Sequence, residues 1–157
     1  LAIATMQYKK FDKLDFKNIH PAGSLGAQLK TVEDIMITGN KIPFVSENLQ
    51  MNKALKILSE KKLGILIVRN NKKKTVGIIT DGQIRRFNQK DTNLHSKQVK
   101  VIMTKNPISI NKNILAAKAL SIMNNKKITS LCVYEDKKKQ NTIGVVHIHN
   151  ILQNNIS

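Results

Sequence analysis

The chain has 157 residues, of which 41% are hydrophobic, so it can bury the core of one ordinary domain or of two very small ones, and wholesale disorder is disfavoured. It has no tryptophan and only 4% aromatic residues, so the core must consist mainly of isoleucine, leucine and valine. No apolar run approaches the roughly 20 residues that a membrane span needs, and no secretory signal is visible, so no membrane partner is expected.

The single cysteine, Cys132, excludes an intramolecular disulfide and suits a reducing, cytoplasmic location. Its place inside an apolar strand predicts a small core residue. The chain begins with Leu1 instead of methionine, so we expect it to be a piece of a longer protein.

The net charge of +17 makes nucleic acid a candidate partner. The excess is nearly all lysine, since the arginines are only Arg69, Arg85 and Arg86, and the chain is also rich in asparagine and isoleucine, as an AT-rich genome would encode. Nucleic-acid readers usually add arginine forks and aromatic stacking surfaces, and both are scarce here. Nucleic-acid binding is therefore the less favoured interpretation.

The first half of the chain predicts a β-α-β-β-α unit. Apolar residues at i, i+3, i+4 and i+7 give its first helix one buried stripe. A lysine-rich turn then separates two strands. In chain order the predicted elements are a strand at 42–45, a helix carrying Met51, Ala54, Leu55 and Leu58, strands at 65–68 and 76–79, and a short helix at 83–87.

The second half repeats the first. Residues 51–68 align without gaps with residues 116–133, at an offset of 65 residues. Two further matches at an offset of 67 extend the repeat, from 35–36 to 102–103 and from 77–79 to 144–146. The second set of elements is a strand at 108–110, a helix carrying Ala116, Ala119, Leu120 and Met123, strands at 131–133 and 143–146, and a helix at 150–153.

Units of about 60 residues bury little surface alone, so the two copies should pack against each other. The predicted fold is α/β (α+β), with two β-α-β-β-α repeats related by a pseudo-two-fold axis. The predicted boundaries are residues 31–90 for the first repeat and 91–157 for the second.

The duplicated pattern resembles a tandem pair of cystathionine-β-synthase-type (CBS) domains, a Bateman module. The resemblance rests on VEDIM at 32–36 and VKVIM at 99–103, and on KKLGILIV and GIITDGQIRR with their second copies. It implies a regulatory module that binds adenine nucleotides in the cleft between repeats and that pairs face to face into a homodimer.

The stretch DFKNIHPAGSLGAQL at residues 15–29 resembles the joint of D-arabinose 5-phosphate isomerases, which carry a sugar isomerase (SIS) domain before a CBS pair. In this reading residues 1–30 are the tail of the SIS domain and the linker, and the absent SIS domain is a partner of the CBS pair. His20 matches a family histidine implicated in isomerisation, where a base moves a proton between C1 and C2. About 30 residues of that domain cannot form a pocket, so this chain itself is not expected to be an enzyme. The enzymes of this family act in the pathway to 3-deoxy-manno-octulosonate (Kdo), a component of lipopolysaccharide.

The ligand site that the resemblance implies follows the last strand of each repeat. Nucleotide-binding CBS domains carry a threonine there, which caps the phosphate, and an aspartate three residues on, which grips the ribose hydroxyls. Thr80 fits the first role, but Gln83 stands at the aspartate position, and the second repeat has His147 and Asn150. Charge-assisted hydrogen bonds contribute roughly 1.5–3 kcal/mol, so nucleotide binding should be weakened by about one to two decades, not abolished.

Asp81, Arg85 and Arg86 complete the candidate site of the first repeat. Asp81 before a glycine and a helix also fits an ordinary turn and capping role, and both roles stay open. Two adjacent arginines can bind an anion or pair with acidic neighbours. A downstream anionic sugar nucleotide is therefore a second ligand hypothesis.

His147 and His149 lie two apart at a strand end, so both should point to one face. A His-x-His pair can ligate a metal, but no further ligand stands at a recognisable spacing, so neither a metal nor another cofactor is expected. We expect the two histidines to line the cleft between repeats, near Thr129 and Ser130. The alternatives to a ligand-sensing module are a purely structural oligomerisation module and a basic nucleic-acid-binding module.

Overall fold

A computed structural model describes residues 24–90 and 93–157 of the chain. Its strands are β1 (Phe44–Ser46), β2 (Ile65–Arg69), β3 (Thr75–Thr80), β4 (Thr104–Lys105), β5 (Ser109–Asn111), β6 (Ser130–Tyr134) and β7 (Thr142–His147). Its α-helices are α1 (Ser24–Gln28), α2 (Val32–Ile35), α3 (Met51–Lys61), α4 (Asp81–Asn88), α5 (Val99–Ile102), α6 (Ala116–Lys126) and α7 (Ile148–Gln153). Short 3-10 turns lie at Gly39–Lys41 and Leu94–Ser96. No helix among these described residues is both long and apolar enough to cross a bilayer.

The strands form two sheets, one for each repeat, in the orders β1-β2-β3-β4 and β5-β6-β7. In each sheet the first strand runs parallel to the second because a helix, α3 or α6, crosses over between them. The second and third strands form an antiparallel hairpin across the lysine-rich turn. The predicted α/β class and the predicted β-α-β-β-α order are thus confirmed, with element ends that differ by one or two residues.

The helices α3 and α6 follow the predicted apolar stripe. Met51, Ala54 and Leu58 of α3 are buried, as are the residues at the same places in α6. Each helix ends on a lysine in the left-handed conformation, Lys62 with φ 58° and Lys127 with φ 57°. These two turns lead straight into the central strands of the two sheets.

The segment that opens each repeat packs on the other repeat and pairs with a strand of its sheet. We call residues 31–38 and 98–105 the exchanged segments. In the second of them, β4 adds to the first sheet, with Lys105 opposite Gly77. In the first, Ile37 bridges to Val145 of the second sheet. The sequence pattern did not predict this exchange.

The exchange also decides which residues fill each core. Val32 of α2 is fully buried among the residues of the second repeat, and Val99 of α5 is fully buried among those of the first. Backbone hydrogen bonds fix both, from Val32 N to Ile114 O (2.9 Å) and from Val99 N to Leu49 O (2.8 Å). A third apolar cluster lies between the two sheets, and Cys132 is one of its buried members.

The pseudo-two-fold axis passes between the starts of β3 and β7. There the buried hydroxyls of Thr75 and Thr142, which are 67 residues apart in sequence, lie 2.6 Å from each other. The backbone of Thr75 also donates to Gln140 O at 2.8 Å. The hairpin turns of the two repeats therefore meet at one end of the molecule, and the strand ends that carry the predicted site residues meet at the other.

Candidate functional site

A cleft of about 500 Å³ lies where the strand ends of the two repeats meet. We call it the first cleft. Its wall combines the end of β3 and the start of α4 with the segment that follows β4 and with the turn between α6 and β6. The lining residues are Gly64, Ile65, Ile78, Thr80, Asp81, Gly82, Arg86, Thr104, Asn106, Pro107, Ile108, Lys127, Ile128, Thr129, Ser130, Cys132 and His147.

Isoleucines and a few polar groups make up this lining. Two cations, Arg86 and Lys127, face a single carboxylate, that of Asp81. The guanidinium of Arg86 folds back over the first turn of its own helix, since a Cβ added at Gly82 would lie 3.4 Å from its Nη1. The lining of the first cleft therefore combines apolar side chains with a net positive charge, which suits an anionic ligand with an apolar part.

The side chains of Thr80 and Gln83 form hydrogen bonds within the protein. The Thr80 hydroxyl caps α4 and accepts a hydrogen bond from Gln83 N at 3.3 Å. The Gln83 amide donates through Nε2 to Ile102 O, at the end of α5, and its buried Oε1 has no hydrogen-bond partner among the described residues. Gln83 thus ties α4 to an exchanged segment and does not line the cleft.

A second cleft, of about 460 Å³, adjoins the first. It is related to the first cleft by the pseudo-two-fold axis, since its Lys62 and Gln153 correspond in the repeat to Lys127 and Arg86 of the first cleft. Gly64, Asp81 and His147 line both clefts. Gly64, with φ 67°, brings the backbone close to the Asp81 carboxylate, because an added Cβ would lie 3.0 Å from Oδ2. The full lining is Lys62, Leu63, Gly64, Asp81, His147, His149, Asn150 and Gln153.

The imidazoles of His147 and His149 stack in this second cleft. Their ring centroids are 4.8 Å apart, and the rings are inclined by 27°. His147 Nδ1 accepts a hydrogen bond from His149 N at 3.1 Å, so the neutral ring carries its proton on Nε2. The Asn150 Oδ1 accepts from His147 N at 2.8 Å. Partial burial and, second, the proximity of His149 lower the pKa of His147, which favours the neutral ring.

The structure brings most of the predicted site residues to the two clefts. Thr129 and Ser130 lie on the first-cleft wall, and Thr129 O accepts a hydrogen bond from Ile148 N at 2.8 Å. Arg85 is exposed on α4 and, like Gln83, lines neither cleft. His20 lies outside the described residues.

Cys132 lies at the floor of the first cleft and is only 1% exposed. Burial raises the pKa of its thiol to about 12, so the thiol stays protonated and is no nucleophile. The described residues contain no group of three or more side chains that could hold a metal ion.

Sequence reasoning missed several lining residues. Thr104, Asn106, Pro107 and Ile108 reach the first cleft from β4 and the segment that follows it. The left-handed Lys62 and Lys127 line the second and the first cleft. A signal existed for the lysines, because the pairs at 61–62 and 126–127 align in the repeat. No signal existed for residues 104–108, since only the exchange of segments brings them there.

The CBS domain family model matches residues 32–90 and 99–156, and the chain therefore belongs to the CBS domain family, with two copies of the domain. More particularly, the chain matches the C-terminal region of arabinose 5-phosphate isomerases named KdsD. It is 35% identical over 154 residues to the KdsD of Yersinia pestis and 38% identical over 154 residues to that of Francisella tularensis. Each match covers 98% of this chain and 46% of the relative, so the chain spans about half the length of these relatives.

Solved CBS pairs share the fold. CBSX2 of Arabidopsis thaliana, in complex with AMP, superposes with a TM-score of 0.66 at 23% identity and covers 78% of this chain and 93% of its own. The CBS pair of MJ0100, in complex with 5-methylthioadenosine and S-adenosyl-L-methionine, gives a TM-score of 0.69 at 23% identity and covers 79% and 94%. Identities of this order show a common fold alone.

Proposed function

We propose that the chain is the regulatory part of an arabinose 5-phosphate isomerase and that its first cleft binds an anionic nucleotide or sugar nucleotide. The observation that carries the proposal is the pair of cations, Arg86 and Lys127, in the lining of a cleft that also contains four isoleucines and a single carboxylate. Arg86 and Lys127 come from different repeats, so a bound phosphate would bridge the repeats. CBSX2 and MJ0100 were solved with adenosine ligands, which supports a nucleotide-sized occupant.

The ribose end of a nucleotide would be held weakly. Gln83 stands at the position of the ribose-binding carboxylate in the family pattern, and its amide is hydrogen-bonded to Ile102 O instead of facing the cleft. Asp81 is the only carboxylate among the described residues that line the cleft. The cleft thus favours ligands that are recognised mainly through a phosphate or another anionic group, such as a sugar nucleotide.

The proposed parent enzyme interconverts ribulose 5-phosphate and arabinose 5-phosphate, in the route to Kdo and lipopolysaccharide. The KdsD relatives, about twice as long as this chain, support this assignment. We further propose a cytoplasmic homodimer in which an upstream SIS domain, with His20 as a catalytic residue, does the chemistry. The CBS pair itself then has no turnover, and an assay of the chain with ribulose 5-phosphate tests this directly.

Calorimetric titration of the chain at pH 8 tests ligand binding. The ligands are AMP, ATP and the cytidylyl derivative of Kdo. We expect at least one of them to bind below millimolar concentration, and binding by none of them would refute the proposal. Arg86→Gln should weaken the binding about 10- to 100-fold, because it removes a charge-assisted hydrogen bond. Arg85→Gln is the matched control, since it removes the same charge from the same helix outside the cleft.

A purely structural role is the alternative. The exposed apolar side chains of Val101 and Leu152 favour it, since they offer contact area to another chain. It predicts a stable dimer by sedimentation together with no binding of the three ligands.

A further inference from the structure

We propose that Met36 and Met103 are a pair of peroxide-sensitive modification sites, at which oxidation of the thioether sulfur to the sulfoxide loosens the exchanged segments. This inference goes beyond the proposed function, since it concerns the contact between the repeats and needs no ligand in either cleft. The two methionines occupy equivalent places, because the alignment at an offset of 67 residues pairs Met36 with Met103. The same alignment pairs Gly77 with Gly144, the glycines on which the two sulfur atoms pack.

Each sulfur atom fills the space that a glycine leaves open on a strand. A Cβ added at Gly77 of β3 would lie 2.6 Å from Met103 Sδ, and one added at Gly144 of β7 would lie 2.6 Å from Met36 Sδ. In both places the nearest atoms are the sulfur, the Cγ of the same methionine and a backbone oxygen. The two methionines thus take the place of the side chains that the glycines lack.

The residue that follows each methionine makes the sheet contact of its exchanged segment. Ile37 N donates to Val145 O at 2.8 Å, and Val145 N donates to Ile37 O at 3.0 Å. Thr104, which follows Met103, lies opposite Ile78 in the pairing of β4 with β3. A displacement of either methionine therefore disturbs the backbone hydrogen bonds that join an exchanged segment to a sheet.

The four methionines that the structure describes differ in exposure. Met51 of α3 and Met123 of α6 are 0% and 1% exposed, whereas Met36 and Met103 are only partly buried. Met36 packs against the outside of the second core and Met103 against the outside of the first. A peroxide from solvent can therefore reach these two side chains in the folded chain, but it can reach Met51 and Met123 only when the fold opens.

The reaction with hydrogen peroxide is an oxygen transfer. A lone pair of the sulfur attacks one peroxide oxygen, the O–O bond breaks, and the proton of the transferred oxygen passes to the departing hydroxide, which leaves as water. The sulfur is thereby oxidised by two electrons and the peroxide is reduced by two.

The product does not suit the place that the thioether occupied. A sulfoxide oxygen is polar and accepts hydrogen bonds, so its burial without a donor is unfavourable. The backbone oxygens beside the two glycines, Ile37 O and Thr104 O, are themselves acceptors. The oxidised side chain therefore turns towards solvent, leaves its glycine uncovered and weakens the packing of the exchanged segment.

Peptide mapping by mass spectrometry follows each methionine separately while the full 157-residue chain reacts with hydrogen peroxide. We expect Met36 and Met103 to gain one oxygen atom at least about tenfold faster than Met51 and Met123, because a fully buried sulfur reacts only in molecules that have opened. Equal rates for the four methionines, or faster oxidation of the buried pair, overturn the inference.

Urea denaturation measures the consequence for the fold. The chain oxidised at Met36 and Met103 should have a ratio of folded to unfolded molecules about five- to thirtyfold lower than the reduced chain. A methionine sulfoxide reductase, supplied with a thiol reductant, should restore the original ratio. Unchanged stability after complete oxidation of both residues overturns the inference.

Leucine variants separate these two methionines from the other groups that peroxide can oxidise. Leucine conserves the volume of methionine and has no sulfur atom. The double variant Met36→Leu/Met103→Leu should therefore keep its stability after peroxide treatment, although it retains Met6, which lies outside the described residues. The matched control Met51→Leu/Met123→Leu should lose stability on oxidation, relative to its own reduced form, as the parent chain does. If the variant at positions 36 and 103 loses as much stability as the parent chain, another group causes the loss and the inference is overturned.

Discussion

The exchanged segments pack so closely on two glycines that a single methyl group should loosen them. A Cβ added at Gly77 would lie 2.6 Å from Met103 Sδ and 2.8 Å from Thr104 O. A Cβ added at Gly144 would lie 2.6 Å from Met36 Sδ and 3.1 Å from Ile37 O. Side-chain sulfur atoms can move aside, but the backbone oxygen next to Gly77 cannot move without breaking the pairing of β4.

We therefore expect Gly77→Ala to destabilise the fold more than Gly144→Ala. Overpacking of this kind lowers the free energy of unfolding by about 1–3 kcal/mol, and each kcal/mol lowers the Tm of a domain of this size by about 2–4 °C. Gly82→Ala is the control, since its Cβ would meet only the flexible end of Arg86 at 3.4 Å. Alanine also favours the helix over glycine by about 0.5–1 kcal/mol, so this variant should be neutral or stabilised.

Urea denaturation followed by circular dichroism measures all three variants. The double variant Gly144→Ala/Met36→Ala should lose less stability than the sum of its two single variants, because Met36→Ala removes the sulfur atom that a Cβ added at position 144 would otherwise contact. Unfolding free energies for Gly77→Ala and Gly144→Ala within about 0.5 kcal/mol of the parent chain would refute the close packing of the exchanged segments.

Three further outcomes follow from buried or partly buried polar side chains. Because burial raises the pKa of Cys132 to about 12, iodoacetamide at pH 8 should label the thiol in denaturant but not in the folded chain. Mass spectrometry measures the labelling, and rapid labelling of the folded chain would contradict the burial. Thr75→Val should cost about 1–3 kcal/mol, because it removes a hydrogen-bond partner of the buried Thr142 hydroxyl. Thr142→Val added to it should cost less than it does alone, and strictly additive urea data would contradict the hydroxyl pair. Because the folded state lowers the pKa of His147, the contribution of this residue to stability is complete above about pH 6.5 and is lost as the pH falls through the folded pKa. His147→Gln should therefore reduce the loss of unfolding free energy on the acid side of a stability–pH curve. An unchanged acid side would contradict the lowered pKa.

The repeat made much of the fold predictable. The apolar stripe of α3 recurs in α6, and both sets of strands fall within a residue or two of their predicted ends. The exchange of the opening segments was not predictable, because a four-residue helix such as α2 has the same apolar pattern whichever core it joins. Its destination depends on the packing of Val32 on the second repeat, which the local sequence does not encode.

The site was predictable in part for a related reason. Thr80, Asp81, Ser130 and His147 lie at strand ends, and the order of strands brings strand ends together. The direction in which a side chain points depends on its neighbours. Gln83 aligns with a ligand-binding position, yet its amide meets Ile102 O, a group that only the exchanged segment supplies.

The reciprocal exchange makes the chain equivalent to a domain-swapped dimer whose two subunits have been joined end to end. A single repeat would expose the apolar surface that Val32 or Val99 covers, so it would be driven to find a second copy. The connection between the two repeats raises the effective concentration of one repeat near the other. Two polypeptides that end and begin within that connection would carry all the contacts of the intact pair and should reassociate into it.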